Sequence, residues 1–395
     1  SVILVNIKRF YEMVRANACI IFSMLWMLTA NSQHKPNQLS NWKKVGEFPA
    51  SKGIPSIGLA GQSAGVFGDF MIIAGGTNFP DKLPWEGGRK VYYDDVFFYG
   101  KNTKGVLTFS GKYTLPMNLG YAATASTEKG LFIAGGENET GILNKVMILQ
   151  VFKDYNELAF LPDLPIPLTN AMAVAYQSSV YIMGGETVSK VSDKVFVLDL
   201  NNSKNGWTSL PPLPHPISHG VAVFFNGQKS KGIYVLAGRA KQQSGISDLY
   251  STNHFFDINT QQWTVKAPLP YGLSAGTGLL DPWGRVLLFG GDRGEVFSKV
   301  EALVAQKNKE TDSIVIETLD KKRVVLQSTH PGFSHEILAY DIEHDRWDAI
   351  GSLPFPTPVT THAFIWDGFI MIPGGEVRAG VRTPNIFSIE LNSKK

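Results

Sequence analysis

Six times along the chain a short apolar run ends in glycine: Phe70–Gly76, Leu131–Gly136, Val180–Gly185, Ile233–Gly238, Val286–Gly291 and Phe369–Gly375. The final glycines are spaced by 60, 49, 53, 53 and 84 residues. A unit that recurs at such a period cannot bury its apolar face alone and must stack on copies of itself. The companions of each run support this. A small-residue segment precedes it, as in Tyr121–Ala125, Ala171–Ala175 and His219–Val223. An alternating segment such as Lys194–Asp199 or Glu336–Asp341 follows, and then a segment that starts near an aromatic and ends in Leu-Pro: Trp207–Pro214, Trp263–Pro270 and Trp347–Pro354. Weaker copies start at Phe109 and Phe160.

Four short strands per unit, with periodic glycine and aromatics, predict an all-β chain folded as a six-bladed β-propeller. Glycine pairs suit the strand exits, where neighbouring blades crowd and a Cβ would obstruct. The recurring Trp is expected to pack between blades. The two ends of the repeat are complementary. Asn41–Pro49 is an outer-strand copy with no strands before it, and the last unit, ending in Pro384–Leu391, lacks an outer strand. The N-terminal strand is therefore expected to complete the last blade and close the ring, leaving no open edge. Residues 41–391 form one domain in this reading. The single long step is an insertion in the fifth blade, Arg293–Ser334, where apolar residues 296, 297, 300, 303 and 304 have helical spacing. It should sit as a lid or rim.

The first 32 residues read differently. Lys8, Arg9 and Arg15 precede an apolar run from Ala18 to Ala30, with small residues Ala30 and Ser32 after it. That is the pattern of a secretory signal peptide, and the run is short for a bilayer span. The expected location is the periplasm, with no membrane association after leader cleavage. The one cysteine, Cys19, falls in the leader, so the mature chain has no thiol for a disulfide, a nucleophile or a metal. A formal net charge of +3 without a basic run argues against nucleic acid. The histidines show no pair at metal-ligand spacing, and there is no P-loop, dinucleotide fingerprint or serine elbow. Neither a metal nor a cofactor is expected.

In a propeller the positions after the glycine pairs point toward one mouth of the central channel. These are Thr77 and Asn78, Glu137 and Asn138, Glu186, Arg239, Asp292 and Arg293, and Glu376. Carboxylates, guanidinia and amides gathered there suit a small, hydroxyl-rich, anionic ligand, because arginine's fork matches a carboxylate. From this set Asn78, Glu137, Glu186, Arg239 and Arg293 are candidate ligand contacts. Arg89, in the Gly87-Gly-Arg-Lys90 segment of the first blade, is added to them.

The repeat resembles the Kelch propellers. Gly374-Gly-Glu376 with Arg382, in Gly-Glu-Val-Arg-Ala-Gly-Val-Arg-Thr, is similar to the active-site motif of the sialic acid mutarotases, the N-acetylneuraminate epimerases. The stretch from Leu59 through Ile73–Phe79 to Lys90 resembles that family's next blade, and the fifth-blade insertion also has a counterpart there. Here the blade that should follow Arg382 stands at the N-terminus, so the chain is similar to a cyclically permuted branch of that family. The resemblance covers roughly residues 41 to 391. It implies interconversion of the α and β anomers of N-acetylneuraminate, a small sugar acid. Glu376 would be the proton acceptor and Arg382 its partner, holding the sugar's carboxylate or steadying developing charge. The group serving the ring oxygen stays open between Glu137, Glu186 and water. A sialidase would need Ser-x-Asp-x-Gly-x-Thr-Trp boxes, which are absent. A non-catalytic binding propeller remains the other reading, and it gives the polar channel mouth no chemistry.

Overall fold

The computed structural model describes residues 39–50, 53 and 55–391. The expected leader lies outside the described residues. Alternating apolar residues, bounded by glycine turns, form six four-stranded antiparallel sheets. Blade 1 runs from the inner strand Ser63–Phe67 through Phe70–Ala74 and Asp95–Lys101 to the outer strand Leu107–Thr114. The inner strands of blades 2 to 6 are Ala123–Thr127, Met172–Tyr176, Val221–Asn226, Thr277–Leu280 and Phe364–Trp366.

Blade 6 takes its outer strand from the N-terminal part of the fold. Lys43–Glu47 pairs antiparallel with Asn385–Glu390, with Lys43 opposite Ser388 and Glu47 opposite Asn385. Both chain ends of the propeller thus lie in one sheet, as the complementary repeat ends require.

The core is six apolar wedges, one between each pair of adjacent blades. Leu287, Phe289 and Ile337 of blade 5 meet Ile370, Ile372 and Phe387 of blade 6, for example, and all six are buried. The tryptophans fasten these wedges at the rim. Trp207, Trp263 and Trp347 donate Nε1–H to Pro162, Pro211 and Ala267 at 2.9, 3.3 and 3.0 Å, in each case an acceptor from the preceding blade. Trp42, the counterpart carried by the closing strand, packs edge-on against Phe289 and Phe355.

The glycine pairs are explained by the same crowding. A Cβ on Gly75, Gly135 or Gly184 would lie 2.2–2.3 Å from a carbonyl oxygen of the next blade, and all three residues have positive φ. The following glycine donates its N–H to that blade, as from Gly76 to Leu119 and Gly185 to Ile217.

The fifth-blade insertion holds two helices, α1 (Phe297–Lys307) and α2 (Ser313–Ser328). The apolar spacing marks α1 alone. In α2 the β-branched residues Ile314, Val315, Ile316, Val324 and Val325 weaken the helical signal. Its start is fixed locally by Asp312, whose carboxylate accepts from the N–H groups of Ile314 and Val315.

Two glycine substitutions separate crowding from backbone strain. Gly105 has φ of 74° and no atom within 4 Å of the place its Cβ would take, so Gly105→Ala should cost only the left-handed penalty of about 1 kcal/mol. Gly184→Ala meets the Ile217 carbonyl as well and should cost more than about 3 kcal/mol in denaturant unfolding.

Candidate active site

Just ahead of each inner strand one residue adopts a left-handed backbone: Gly61, Tyr121, Asn170, His219, Ala275 and Thr360, with φ between 51° and 67°. The N–H of each donates to the carbonyl of its counterpart in the preceding blade, and Gly61 donates to Thr360. The six bonds, 2.6–3.2 Å long, form a closed circle around the channel. Asparagine tolerates this conformation; a β-branched residue such as Thr360 rarely adopts it. The circle separates the channel lined by the inner strands from a cavity of about 390 Å³ at its mouth.

Beside the circle, each blade's first residue after the glycine run forms a two-way backbone bridge to the residue preceding the left-handed one. The pairs are Ala60–Thr77, Gly120–Glu137, Thr169–Glu186, Ser218–Arg239, Ser274–Asp292 and Val359–Glu376. Five of these first positions carry charge, and all five line the cavity: Glu137, Glu186, Arg239, Asp292 and Glu376. The second positions turn away, because successive side chains on extended backbone alternate in direction. This corrects two expected ligand contacts. Asn78 is buried with its amide bonded to the carbonyls of Ile57 and Gly58. Arg293 stacks on the Tyr271 ring at 3.7 Å, pairs with Glu336 at 2.7 Å, and faces a neighbouring cleft. Arg89 is exposed and away from the cavity; the adjacent Lys90 reaches it instead.

Glu376 and Arg382 face each other across the hairpin formed by Glu376–Arg378 and Val381–Arg382. Arg382 Nη2 lies 2.8 Å from Glu376 Oε2, and the Gly380 N–H donates to Oε1 at 3.1 Å. Both carboxylate oxygens therefore have a donor. The pair is asymmetric: the Glu376 side chain is 20% exposed and the Arg382 side chain 2%. Arg382 lies over the Phe79 ring at 4.6 Å, its Nε and Nη1 without a partner among the described residues. It stands behind Glu376, so the expected alternative in which it grips the sugar directly is not the arrangement seen. The guanidinium that does reach the cavity is Arg239.

The remaining carboxylates are already engaged. Glu137 accepts from Tyr92 Oη at 2.7 Å and Lys90 Nζ at 3.2 Å. Glu186 accepts from Ser218 Oγ at 2.7 Å and lies 3.3 Å from His219 Nδ1. Burial pushes the Glu186 carboxyl upward, but the bonds from His219 and Ser218 and the charge of Arg239 prevail, lowering it to about 2. Arg239 Nη2, which can only donate, lies 3.2 Å from His219 Nε2, so the His219 proton sits on Nδ1. Burial, then the Arg239 charge, keeps that imidazole neutral.

The insertion closes one side of the cavity with Val296, Phe297, Val300, Gln327, His330 and Phe333. Phe297 lies beneath the Arg239 guanidinium at 4.4 Å, and Glu301 holds α1 to blade 4 through the N–H and hydroxyl of Ser247. The left-handed residues Tyr121, Asn170 and His219, and Gln327, His330 and Phe333 from the second half of the insertion, are what sequence reasoning missed. A signal for the former exists: apolar, small, any residue, as in Leu119-Gly-Tyr121, Leu168-Thr-Asn170 and Ile217-Ser-His219.

A family model described as N-acetylneuraminate epimerase matches residues 161–395. The chain belongs to the N-acetylneuraminate epimerase family. Curated relatives of that name include one from Brucella melitensis, 27% identical over 151 residues, which is 37% of this chain and 38% of the relative. Another, from Haemophilus influenzae, is 30% identical over 109 residues, 25% of this chain and 28% of the relative. N-acetylneuraminate epimerase 1 of Escherichia coli O6:H1 is 24% identical over 160 residues, 40% of this chain and 42% of the relative. The matched stretches thus span less than half the length of these relatives.

Burial holds His219, His254, His330 and His362 below the ordinary histidine range, His362 at about 4. The unfolded chain binds protons at these sites from about pH 6.5 downward, before the folded protein does, so stability should fall on acidification below that pH. In His219→Asn one such group is gone. The slope of unfolding free energy between pH 6.5 and 5 should be smaller by up to about 1.4 kcal/mol per pH unit.

Proposed function

We propose that the protein interconverts the α and β anomers of N-acetylneuraminate by opening and reclosing the sugar ring. The observation that carries this is Glu376. Among the described residues it is the one cavity carboxylate held from behind by a buried guanidinium, and it lies in the motif through which the chain resembles the family. The cavity, about 390 Å³, falls in the range of small-ligand sites.

Ring opening needs the proton of the anomeric hydroxyl removed as the bond from the anomeric carbon to the ring oxygen breaks. Glu376 is the base. Arg382 and the Gly380 N–H fix its carboxylate in the plane that faces the cavity, which makes Arg382 a positioning residue. Arg239, on the cavity surface two blades away, offers the sugar's carboxylate a fork of donors. The open ketone turns about its C–C bond and recloses on its other face, and the reverse proton transfers complete the exchange. We also propose that the enzyme works outside the cytoplasm after loss of residues 1–32. A closed ring keeps its pocket wherever the chain is cut, so the permuted blade order that the resemblance implies is compatible with this chemistry.

Anomer exchange of N-acetylneuraminate, followed by NMR magnetisation transfer, tests the assignment. Wild-type protein should accelerate exchange, and Glu376→Gln should lower kcat by at least about 10²-fold while still binding the sugar. Unchanged exchange in Glu376→Gln removes Glu376 as the base. Arg382→Lys, which keeps the charge but not the fork, should lower kcat about tenfold with little change in KM.

A further inference from the structure

If the cavity opens a sugar ring, as the mutarotase reading holds, one chemical need is not met by its carboxylates. When the ring bond breaks, its electron pair goes to the ring oxygen, which must be steadied while it carries negative charge. Glu137 and Glu186 cannot do this, since both accept hydrogen bonds where a donor is required. We propose that His330, carried by the insertion, is that donor: its neutral imidazole gives the Nε2–H as a hydrogen bond to the leaving ring oxygen.

Geometry supports the assignment. His330 is 8% exposed and lines the cavity that holds Glu376 as well as the neighbouring cleft that holds Arg293. Its Nδ1 accepts the Gly332 N–H at 3.0 Å, so the ring's proton lies on Nε2. No hydrogen-bond partner for Nε2 exists among the described residues, leaving it available to a ligand. The loop that holds the ring is packed on blade 6 next to the base. A Cβ on Gly332 would lie 3.4 Å from the carbonyl oxygen of Val377, the residue after Glu376. The ring itself lies against Phe333, with centroids 5.0 Å apart.

The tautomer also sets the kind of chemistry. Burial lowers the affinity of the imidazole for a second proton; Asp292 and Glu376 oppose this, and Arg378 adds to it. A second proton would have to enter at Nδ1, where it would meet the Gly332 N–H, donor against donor. His330 therefore acts as a neutral donor and does not itself give up a proton. The proton balance closes without it. Glu376 takes the hydroxyl proton as that O–H pair becomes the second bond of the ketone. The C–O pair passes to the ring oxygen, held by Nε2–H, and the ring oxygen then takes the proton from the Glu376 carboxyl. Reclosure on the other face runs the same transfers backward.

The test compares His330→Phe and His330→Gln in the anomer-exchange assay, with thermal melts as a check on folding. His330→Phe should lower kcat about 10²-fold with KM changed much less. His330→Gln, whose amide N–H falls near the Nε2 position, should recover to within about tenfold of wild type. In the wild-type protein, ¹⁵N-labelled histidine spectra should show His330 as the neutral Nε2–H tautomer at pH 7. Wild-type kcat in His330→Phe overturns the proposal, and so does an imidazolium at pH 7. If His330→Phe does not fold, the glutamine variant and the ¹⁵N spectra decide it. Wild-type protein that does not accelerate exchange at all overturns the mutarotase reading itself, whereas active wild type with an indifferent His330 overturns only the role given to that histidine.

Discussion

The circle of six backbone hydrogen bonds at the channel mouth is the constraint on which the site depends. Each bond joins one blade to the next, so the circle exists only if all six blades are present and closed. Five of its six members are not glycine, and each pays left-handed strain of about 1–2 kcal/mol against a hydrogen bond worth about 1 kcal/mol. The circle is therefore held in place by the apolar wedges behind it more than by its own bonds. In return it fixes a floor whose members Tyr121, Asn170, His219 and Thr360 face the cavity, and it sets the neighbouring charged residues at one height. Strain concentrated at such a place is the pattern of a built site.

On that floor Glu376 and Arg382 depend on each other. A guanidinium whose side chain is 2% exposed, with Nε and Nη1 lacking partners among the described residues, is costly to bury. The Glu376 carboxylate and the face of Phe79 are the groups that offset that cost. The same contact holds the carboxylate still. Phe79 comes from blade 1 and the pair from blade 6, so the junction of the first and last blades runs directly beside the Glu376–Arg382 hairpin. The fold's closure and the proposed chemistry thus share residues.

Much of this was legible in the sequence. The glycine-ended strands gave the blade count, and the unmatched repeat ends gave the closure by Lys43–Glu47. Glu376, Glu137, Glu186, Arg239 and Asp292 were legible as a mouth because each follows its glycine run at the same offset. What failed was direction. Asn78 and Arg293 stand one residue further along and alternate to the other side, and Arg382 is turned behind its partner by the hairpin register. The left-handed residues were hidden because their role is a backbone conformation that Tyr121 and Thr360 do not advertise. His330 was hidden for a different reason. It follows a helix that its β-branched residues obscure, and its place in the cavity comes from the insertion folding back over blades 5 and 6.

The most direct test of the account is a crystal structure of the Glu376→Gln variant with N-acetylneuraminate bound. The account predicts one sugar on the circle of left-handed residues, its anomeric hydroxyl within hydrogen-bond distance of side chain 376 and its carboxylate on Arg239. A sugar bound elsewhere, or bound at the mouth with its anomeric carbon turned away from residue 376, would contradict it.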